Sequence, residues 1–526
     1  MTEAEVTHNT DASLATAGSR GIAVNATAIL AGLAAMKLVI QLAGIEHYGF
    51  FRDELYYMGC GEHLTWGYVD QPPLIAFVAW LARHLLGNSL FGIRIWCVLA
   101  GAAVVYFTAI LARELGGGLF AQVLGAISVL LAPGYLAFDT FFSMNAFEPL
   151  FWLLCAWIAV RIAKGGSPKL WLAFGTLSGI GLENKHSMLV FGFGIVAGLL
   201  LSGRWRAFRS GWIWVGGTIA LALFLPNLVW EARHGWPQVE VVRNGQLYKN
   251  LPISPLRFLA EQIAFLGPLA LPVWIGGLFW LFGAREGKRF QFLGWAYPVV
   301  MAVFIIGDGK SYYPLPFYAI LMAAGGVALE EFSEERELLR VAYAALLVVS
   351  GLITVPFAVP VLHVDAFLRY SQKLPYSRSV TAERDSAQAE LPQLYADMFG
   401  WENTAVAVAR VYRSLSPAER SGCAILGGNY GEAGAIDYYG PALGLPKAIS
   451  GHNSYYYWGP RNYSGACVII FGEQSSDFIK LFGDVQVAAT ADNPHAMPNE
   501  QHIAIYICRK PVAPLSALWP RFKMII

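Results

Sequence analysis

Long apolar runs constrain this chain more than any other feature. A helix needs about 20 mainly apolar residues to cross the hydrocarbon core of a bilayer, so these runs predict about eleven transmembrane helices. The chain is therefore predicted to be a polytopic α-helical membrane protein. The runs lie near residues 22–45, 89–112, 119–137, 147–163, 169–183, 187–202, 211–230, 259–283, 290–306, 314–330 and 338–360.

Composition supports this fold class. Hydrophobic residues make up 56% of the 526 residues and charged residues only 14%, which lies outside the usual balance of a soluble globular protein. The formal net charge of +1 produces no field that would favour nucleic acid as a partner. Residues 1–21 are polar and small, so we expect a cytoplasmic tail before a retained first helix.

Basic residues between the apolar runs predict the orientation. Arg161, Lys164 and Lys169 share one loop, and further basic residues lie in loops 204–209 and 285–289. The positive-inside rule makes this side of the membrane cytoplasmic. An odd number of helices then places residues 361–526 outside. The predicted external loops are 46–88, 138–148, 183–186, 231–258 and 307–314.

Residues 361–526 differ in composition from the membrane domain predicted over 22–360. A connector over 361–400 and an amphipathic helix over 403–415 precede four short β-rich runs, with helical segments between them. This alternation predicts a small extracytoplasmic α/β domain. The β-rich runs begin at Cys423, Ala466, Val485 and Ile503.

Three cysteines lie in that C-terminal segment. In an oxidising compartment Cys423, Cys467 and Cys508 could form one disulfide and leave one thiol over. All three lie on apolar runs, so we expect buried free thiols instead. No cysteine pair in the sequence has the spacing of metal ligands.

The first predicted external loop, residues 46–88, is rich in polar residues. Arg52, Asp53 and Glu54 closely follow the first apolar run, and Asp70 and Gln71 come later in the loop. A carboxylate pair just outside a membrane helix suits base chemistry, because burial and neighbouring groups tune carboxyl pKa values. The alternative is that Asp53 and Glu54 only cap the next helix, since acidic residues favour helix N-termini.

Further polar clusters converge on the same predicted face. Charged groups are costly in lipid, so such clusters at helix ends indicate a functional cavity. A lysine among them could hold a phosphate, although either lysine alone could equally reach for lipid headgroups. The clusters comprise Asp139, Asn145 and Glu148, then Lys185 and His186, and finally Lys310, Tyr312 and Tyr313.

Two motifs of the C-terminal segment have simpler explanations. The glycine-rich residues 427–434 follow a predicted strand, but their spacing does not match a dinucleotide-binding loop, so we expect a plain strand-to-helix turn. The aromatic residues 452–460 would suit stacking on sugars or packing on the loops of the membrane domain. Packing is the expectation.

Together these residues resemble the bacterial protein O-mannosyltransferase-like glycosyltransferases, family 39 of the GT-C class. The resemblance covers most of residues 22–330, and its relatives include the aminoarabinose transferases of lipid A. Those enzymes carry a basic residue just before a Pro-Pro pair, where this chain has Gln71. The resemblance rests on Asp53-Glu54, Tyr68-Val-Asp-Gln-Pro-Pro-Leu74, Asp139, Lys185 and Lys310-Ser-Tyr-Tyr-Pro-Leu-Pro.

The resemblance implies an inverting transferase of the bacterial cytoplasmic membrane. It would move a sugar from a polyprenyl-phosphate donor to a lipid, glycan or protein hydroxyl on the external face. Asp53 would be the general base, Glu54 its support, and Asp139 would orient acceptor or base. The implied donor-phosphate residues are Arg52, Lys185, Lys310, Tyr312 and Tyr313. The implied acceptor or loop-shaping residues are Asp70, Gln71, Asn145, Glu148 and His186.

Two questions stay open at the level of sequence. A transporter or flippase of lipid-linked sugars would also place polar residues inside a multi-span bundle. The chain shows no obvious internal repeat and its polar clusters favour one face, which favours the enzyme. No cofactor is required by the sequence, and a divalent metal remains compatible with it.

Overall fold

The structure is a computed structural model that describes residues 26–374 and 389–526. The predicted cytoplasmic tail, residues 1–21, and the end of the connector over 375–388 lie outside the described residues. The first part of the described chain is helical, and the second part contains the sheet.

In the described residues up to 371, seventeen α-helices form the membrane domain and its loops. They are α1 (Ala26–Leu42), α2 (Arg52–Glu62), α3 (Leu74–Leu86), α4 (Leu90–Leu115), α5 (Leu119–Leu130), α6 (Pro133–Thr140), α7 (Met144–Ala163), α8 (Leu170–Asn184), α9 (Met188–Leu201), α10 (Gly211–Arg233), α11 (Pro237–Asn244), α12 (Pro255–Leu266), α13 (Leu271–Gly283), α14 (Gln291–Ile306), α15 (Leu315–Phe332), α16 (Glu337–Ala358) and α17 (Val364–Ser371).

Six helices in the described residues are long and apolar enough to cross a membrane, which confirms a multi-pass helical protein. They are α4, α7, α10, α14 with the turn before it, α15 and α16. Two sharply bent pairs, α5 with α6 and α12 with α13, raise the number to eight if each pair is one span. The predicted number of about eleven is not confirmed, because the runs at α1, α8 and α9 form helices shorter than a full span in the described chain.

Helix α15 lies at the centre of the bundle and is buried from Leu315 to Val327. Two glycines allow its neighbours to approach closely. A Cβ atom at Gly326 would lie 2.2 Å from the carbonyl oxygen of Ala121 on α5, and one at Gly325 would overlap the backbone of α13. Small residues at helix contacts are the usual way in which membrane helices pack against each other.

The second part of the chain contains a four-stranded mixed sheet. Its strands lie at the four predicted β-rich runs and follow the order β1-β2-β4-β3, with β1 and β2 parallel and the other pairs antiparallel. The strands are β1 (Ala424–Gly427), β2 (Cys467–Phe471), β3 (Phe482–Asp492) and β4 (His502–Pro511). The accompanying helices are α18 (Gln393–Ala396), α19 (Trp401–Ser414), α20 (Pro417–Arg420), α21 (Tyr430–Leu443), α22 (Ser454–Trp458), α23 (Ser475–Phe478) and α24 (Leu515–Leu518).

The expectation of three free thiols is wrong for two of them. Cys423 and Cys467 form a disulfide, whereas Cys508 is a buried free thiol. Because β1 pairs with β2 from Ala424 opposite Val468, the two bonded cysteines face each other one residue earlier, with Cα atoms 4.6 Å apart. This strand pairing is a tertiary feature that cysteine spacing does not reveal.

The sheet-bearing segment packs directly on the first loop. Gly434 of α21 lies so close to Leu55 of α2 that an added Cβ atom would be about 3.0 Å from its backbone. The predicted packing role of residues 452–460 agrees with the contacts. The hydroxyl groups of Tyr56 and Ser454 are hydrogen-bonded at 2.7 Å, and Asn453 donates a hydrogen bond to Asp70 at 3.2 Å.

Candidate active site

A cavity of about 410 Å³ lies where loops and helix ends of the membrane domain meet the sheet-bearing segment. Its charged lining consists of four basic and three acidic side chains, and many of the other lining residues are apolar. The basic residues are Arg52, Lys249, Arg257 and Lys310, and the acidic residues are Asp53, Glu261 and Asp308. We call this space the central cavity.

The adjacent acids of the first loop have different environments. Asp53 lines the central cavity, and one of its carboxylate oxygens accepts a hydrogen bond from the Tyr430 hydroxyl at 2.8 Å. Glu54 is fully buried and binds the guanidinium of Arg94 at 2.7 and 2.8 Å. It also accepts a hydrogen bond from the amide of Phe51, the N-cap of α2. The capping alternative therefore holds for Glu54, while Asp53 remains available to a ligand in the cavity.

Asp139 lies near the end of α6 and is buried against α1. Its carboxylate forms an ion pair of 2.7 Å with Lys37, and a Cβ atom at Gly101 would overlap the same carboxylate. Asp139 is not among the residues that line the central cavity. It secures a helix whose Pro133, Gly134 and Phe138 do line it.

Some of the predicted phosphate-binding residues line the central cavity, and others do not. Arg52, Lys310 and Tyr312 line the central cavity. Lys185 lies behind this wall, where it forms an ion pair of 2.9 Å with Glu148. Its ammonium group also lies 4.8 Å from the ring centre of Tyr313.

The predicted acceptor or loop-shaping residues mostly hold loops together. Asn145 lines the central cavity and accepts a hydrogen bond from Lys185 at 2.8 Å. Asp70 accepts one from Tyr56 at 2.7 Å, and burial raises the pKa of Asp70 to about 6. Gln71 is fully buried beside Cys60, and His186 bonds Asn227 at 3.0 Å.

Sequence reasoning missed several lining residues. Lys249 and Arg257 belong to the predicted external loop 231–258, but no motif singled them out. Their location could have drawn attention to them, because the positive-inside rule makes basic residues less frequent in external loops. Glu261 lies one helical turn after Arg257 and pairs with it at 2.9 Å. Tyr430 belongs to the glycine-rich stretch, which forms a strand-to-helix turn as predicted.

Among the described residues, no group of three or more histidine, cysteine, aspartate or glutamate side chains is arranged to hold a metal ion. The cavity itself presents carboxylates and cations. A carboxylate can accept a proton, and cations can stabilise a phosphate.

Comparison with known proteins relates this chain to membrane glycosyltransferases. The family model described as dolichyl-phosphate-mannose-protein mannosyltransferase matches residues 70–230. Lipid A galacturonosyltransferase RgtD of Rhizobium johnstonii is 27% identical over 261 residues, which are 48% of this chain and 54% of that protein. The match thus spans about half the length of this curated relative.

Two solved structures share the fold over nearly the whole chain. ArnT from Cupriavidus metallidurans in the apo state has a TM-score of 0.60 at 14% identity, covering 92% of this chain and 98% of that chain. ArnT bound to undecaprenyl phosphate has a TM-score of 0.60 at 13% identity, covering 91% and 98%. The resemblance to the GT-C glycosyltransferases is confirmed. The mannosyltransferase family model and the RgtD relative carry this resemblance, and the two ArnT structures share the fold.

Proposed function

We propose that this chain is an inverting glycosyltransferase. It moves a sugar from a polyprenyl-phosphate donor to a hydroxyl group of a cell-envelope lipid, glycan or protein. One observation carries the proposal: the carboxylate of Asp53 and the cations Arg52, Lys249, Arg257 and Lys310 line the same central cavity. A single displacement at an anomeric carbon requires such a pairing of base and cations.

The reaction assigns a task to each side of the cavity. The acceptor oxygen attacks the anomeric carbon and forms the new glycosidic bond while its proton passes to Asp53. The bond between the anomeric carbon and the phosphate oxygen breaks, and its electron pair leaves with the polyprenyl phosphate. The cations stabilise the negative charge that develops on this leaving group. One displacement inverts the configuration of the anomeric carbon.

The walls of the cavity suit a lipid-linked donor. Phe138, Phe258 and Ile305 supply apolar surface beside the cations. A polyprenyl chain can stay in the hydrocarbon region while its phosphate reaches Lys249 or Lys310. The ArnT structure bound to undecaprenyl phosphate supports this class of donor for the shared fold.

The other predicted residues have supporting tasks in this proposal. Glu54 fixes the start of α2, Asp139 fixes α6, and Lys185 with Glu148 holds the wall formed by Tyr312 and Asn145. None of these tasks requires direct contact with the sugar.

The external side of the bacterial cytoplasmic membrane is the proposed site of reaction. The basic loops predict this orientation. The disulfide between Cys423 and Cys467 supports it, because disulfides persist mainly in oxidising compartments. The sheet-bearing segment and the central cavity would then face the same compartment as the envelope acceptors.

The test is transfer of labelled sugar from a panel of polyprenyl-phosphate donors to envelope fractions by the purified full-length protein. Asp53→Asn should fold and lose about 100-fold or more of the transfer rate, the usual scale for removing a general base. Glu62→Gln is the matched control, because Glu62 lies on the same helix and pairs with Arg83 and Lys447 away from the cavity lining.

Two results would contradict the proposal. Full transfer by Asp53→Asn would remove Asp53 as the base. Movement of a lipid-linked sugar across vesicles, with no transfer from any donor, would favour the transporter.

A further inference from the structure

The start of α21 reaches from the sheet-bearing segment into the wall of the central cavity. Tyr430 is buried and is one of the lining residues. Its hydroxyl donates the 2.8 Å hydrogen bond to Asp53. Burial and the nearby Asp53 carboxylate raise the pKa of Tyr430 well above its ordinary value, so the phenol keeps its proton and acts as a donor.

The ring of Tyr430 is fixed on both sides. It stacks on Tyr56 of α2 with ring centres 4.6 Å apart, and it tilts against His452 at 4.5 Å. Its backbone amide lies 3.3 Å from the Nδ1 atom of His452. The hydroxyl therefore points at Asp53 from a ring with little freedom to turn away.

The same turn also determines the position of Arg52. The guanidinium of Arg52 lies 5.7 Å from the ring centre of Tyr430 and 3.9 Å from the carboxylate of Asp397. Its aliphatic stem passes over Gly431, where a Cβ atom would lie 2.4 Å from Cγ of Arg52. A larger residue at position 431 would push Arg52 from its place beside the cavity.

A buried network holds this turn. The side chain of Asn429 accepts a hydrogen bond from the amide of Glu432 at 2.9 Å and so caps α21. Its Nδ2 atom also lies within hydrogen-bond distance, 3.0 to 3.1 Å, of carboxylate oxygens of Glu432, Glu473 and Glu500. The position of Tyr430 is thus set by contacts that reach across the sheet-bearing segment.

We propose that this segment completes the catalytic site, with Tyr430 positioning the Asp53 carboxylate and Gly431 leaving space for Arg52. The inference rests on the proposed transferase function. It makes the sheet-bearing segment part of the reaction centre rather than a separate binding module.

The first test is Tyr430→Phe, which removes the hydroxyl and keeps the stacked ring. The carboxylate loses a hydrogen bond that fixes its direction, so kcat should fall about 10- to 100-fold, the scale of one hydrogen bond to a charged group. The donor KM should stay within about twofold, and the unfolding temperature should fall no more than in the control variant below. Tyr438→Phe is the matched control, because this tyrosine of the same helix donates its hydroxyl to the carbonyl of Asn88 at 2.5 Å.

The second test is Gly431→Ala, which acts through Arg52. The added methyl group should raise the donor KM at least about fivefold by displacing a cation that faces the phosphate. Gly422→Ala is its control, because a Cβ atom there meets nothing within 4 Å. This variant tests the turn even if the tyrosine variant does not fold.

The two proposals fail in different ways. Wild-type transfer together with an inactive Asp53→Asn variant establishes the base without reference to Tyr430. If Tyr430→Phe and Gly431→Ala then show wild-type kcat and donor KM, the positioning role is wrong and the transferase stands. A parallel fall of kcat and unfolding temperature in Tyr430→Phe would reduce Tyr430 to a packing residue. Absence of transfer by the wild type would remove both proposals together.

Discussion

Glu54 and Arg94 form a buried ion pair in which the Nε and Nη2 atoms of the arginine each donate to a different carboxylate oxygen. Arg94 also donates to the carbonyl oxygens of Ile45 and Gly49, at 3.0 and 2.7 Å. The pair therefore joins α4 to the end of the first membrane helix and to the start of α2. By fixing the start of α2, this pair holds the adjacent Asp53 at the cavity.

Glu54→Gln should destabilise the protein strongly. The substitution leaves the Arg94 guanidinium buried without a countercharge, which typically costs about 3–5 kcal/mol. Thermal unfolding in detergent is the measurement. Glu62→Gln breaks the partly exposed pairs with Arg83 and Lys447 instead and should cost about 0–1 kcal/mol for each pair. Equal unfolding temperatures for the two variants would show that the buried pair contributes no more to stability than the partly exposed ones.

Substitutions of Lys249 and Lys185 should have different effects on the donor KM. Lys249 lines the central cavity, so Lys249→Met should raise the donor KM about 10- to 100-fold through loss of a charged contact to phosphate. Lys185→Met leaves the buried Glu148 carboxylate without its cation, so it should lower the unfolding temperature. Its effect on the donor KM should be smaller than that of Lys249→Met. The reverse result would support Lys185 as a phosphate-binding residue, as the resemblance implies.

The disulfide gives a test of both fold and orientation. Mass spectrometry of unreduced, thiol-blocked protein should find Cys423 linked to Cys467 and Cys508 free. Cys423→Ala should cost about 2–4 kcal/mol of stability. Cys508→Ala removes a buried thiol outside the bond and serves as the control. Fully alkylated Cys423 and Cys467 would place this segment in a reducing compartment.

Local patterns in the sequence were enough to predict the helical membrane domain and the positions of the four strands. Hydropathy marks α4, α7 and α15 directly, because each is a long apolar run. It could not count spans where helices bend, as at α5 and α6, because a kink depends on packing. The resemblance selected Asp53 and Lys310 from short motifs.

Contacts between distant parts of the chain were beyond such patterns. Lys37 and Asp139 are about a hundred residues apart, and Asp53 and Tyr430 nearly four hundred, so no local period connects them. Adjacent residues with the same chemistry are equally hard to separate. The sequence pairs Asp53 with Glu54, but only the position of Arg94 decides which of them is buried and which faces the cavity.

The buried acids beneath the Asn429 cap should make stability depend on pH. Burial and the nearby Glu473 carboxylate raise the pKa of Glu500 from 4.5 to about 8. Between these values the folded protein binds a proton that the unfolded chain has released, so this group's stabilising contribution is lost as pH rises toward 8. Arg52 and Asp397 also face Glu500. The positive charge of Arg52 lowers the pKa of Glu500, and the negative charge of Asp397 raises it.

Glu500→Gln should therefore flatten the fall in unfolding temperature between pH 5.5 and about 8.5. The glutamine carbonyl can still accept the 3.0 Å hydrogen bond from Asn429, so the cap survives while the charge is removed. Burial also raises the pKa of Glu432, which leaves a residual slope. Glu402→Gln on the exposed face of α19 should follow the wild type. Parallel curves for wild type and Glu500→Gln would mean that Glu500 does not change its protonation on unfolding in this range.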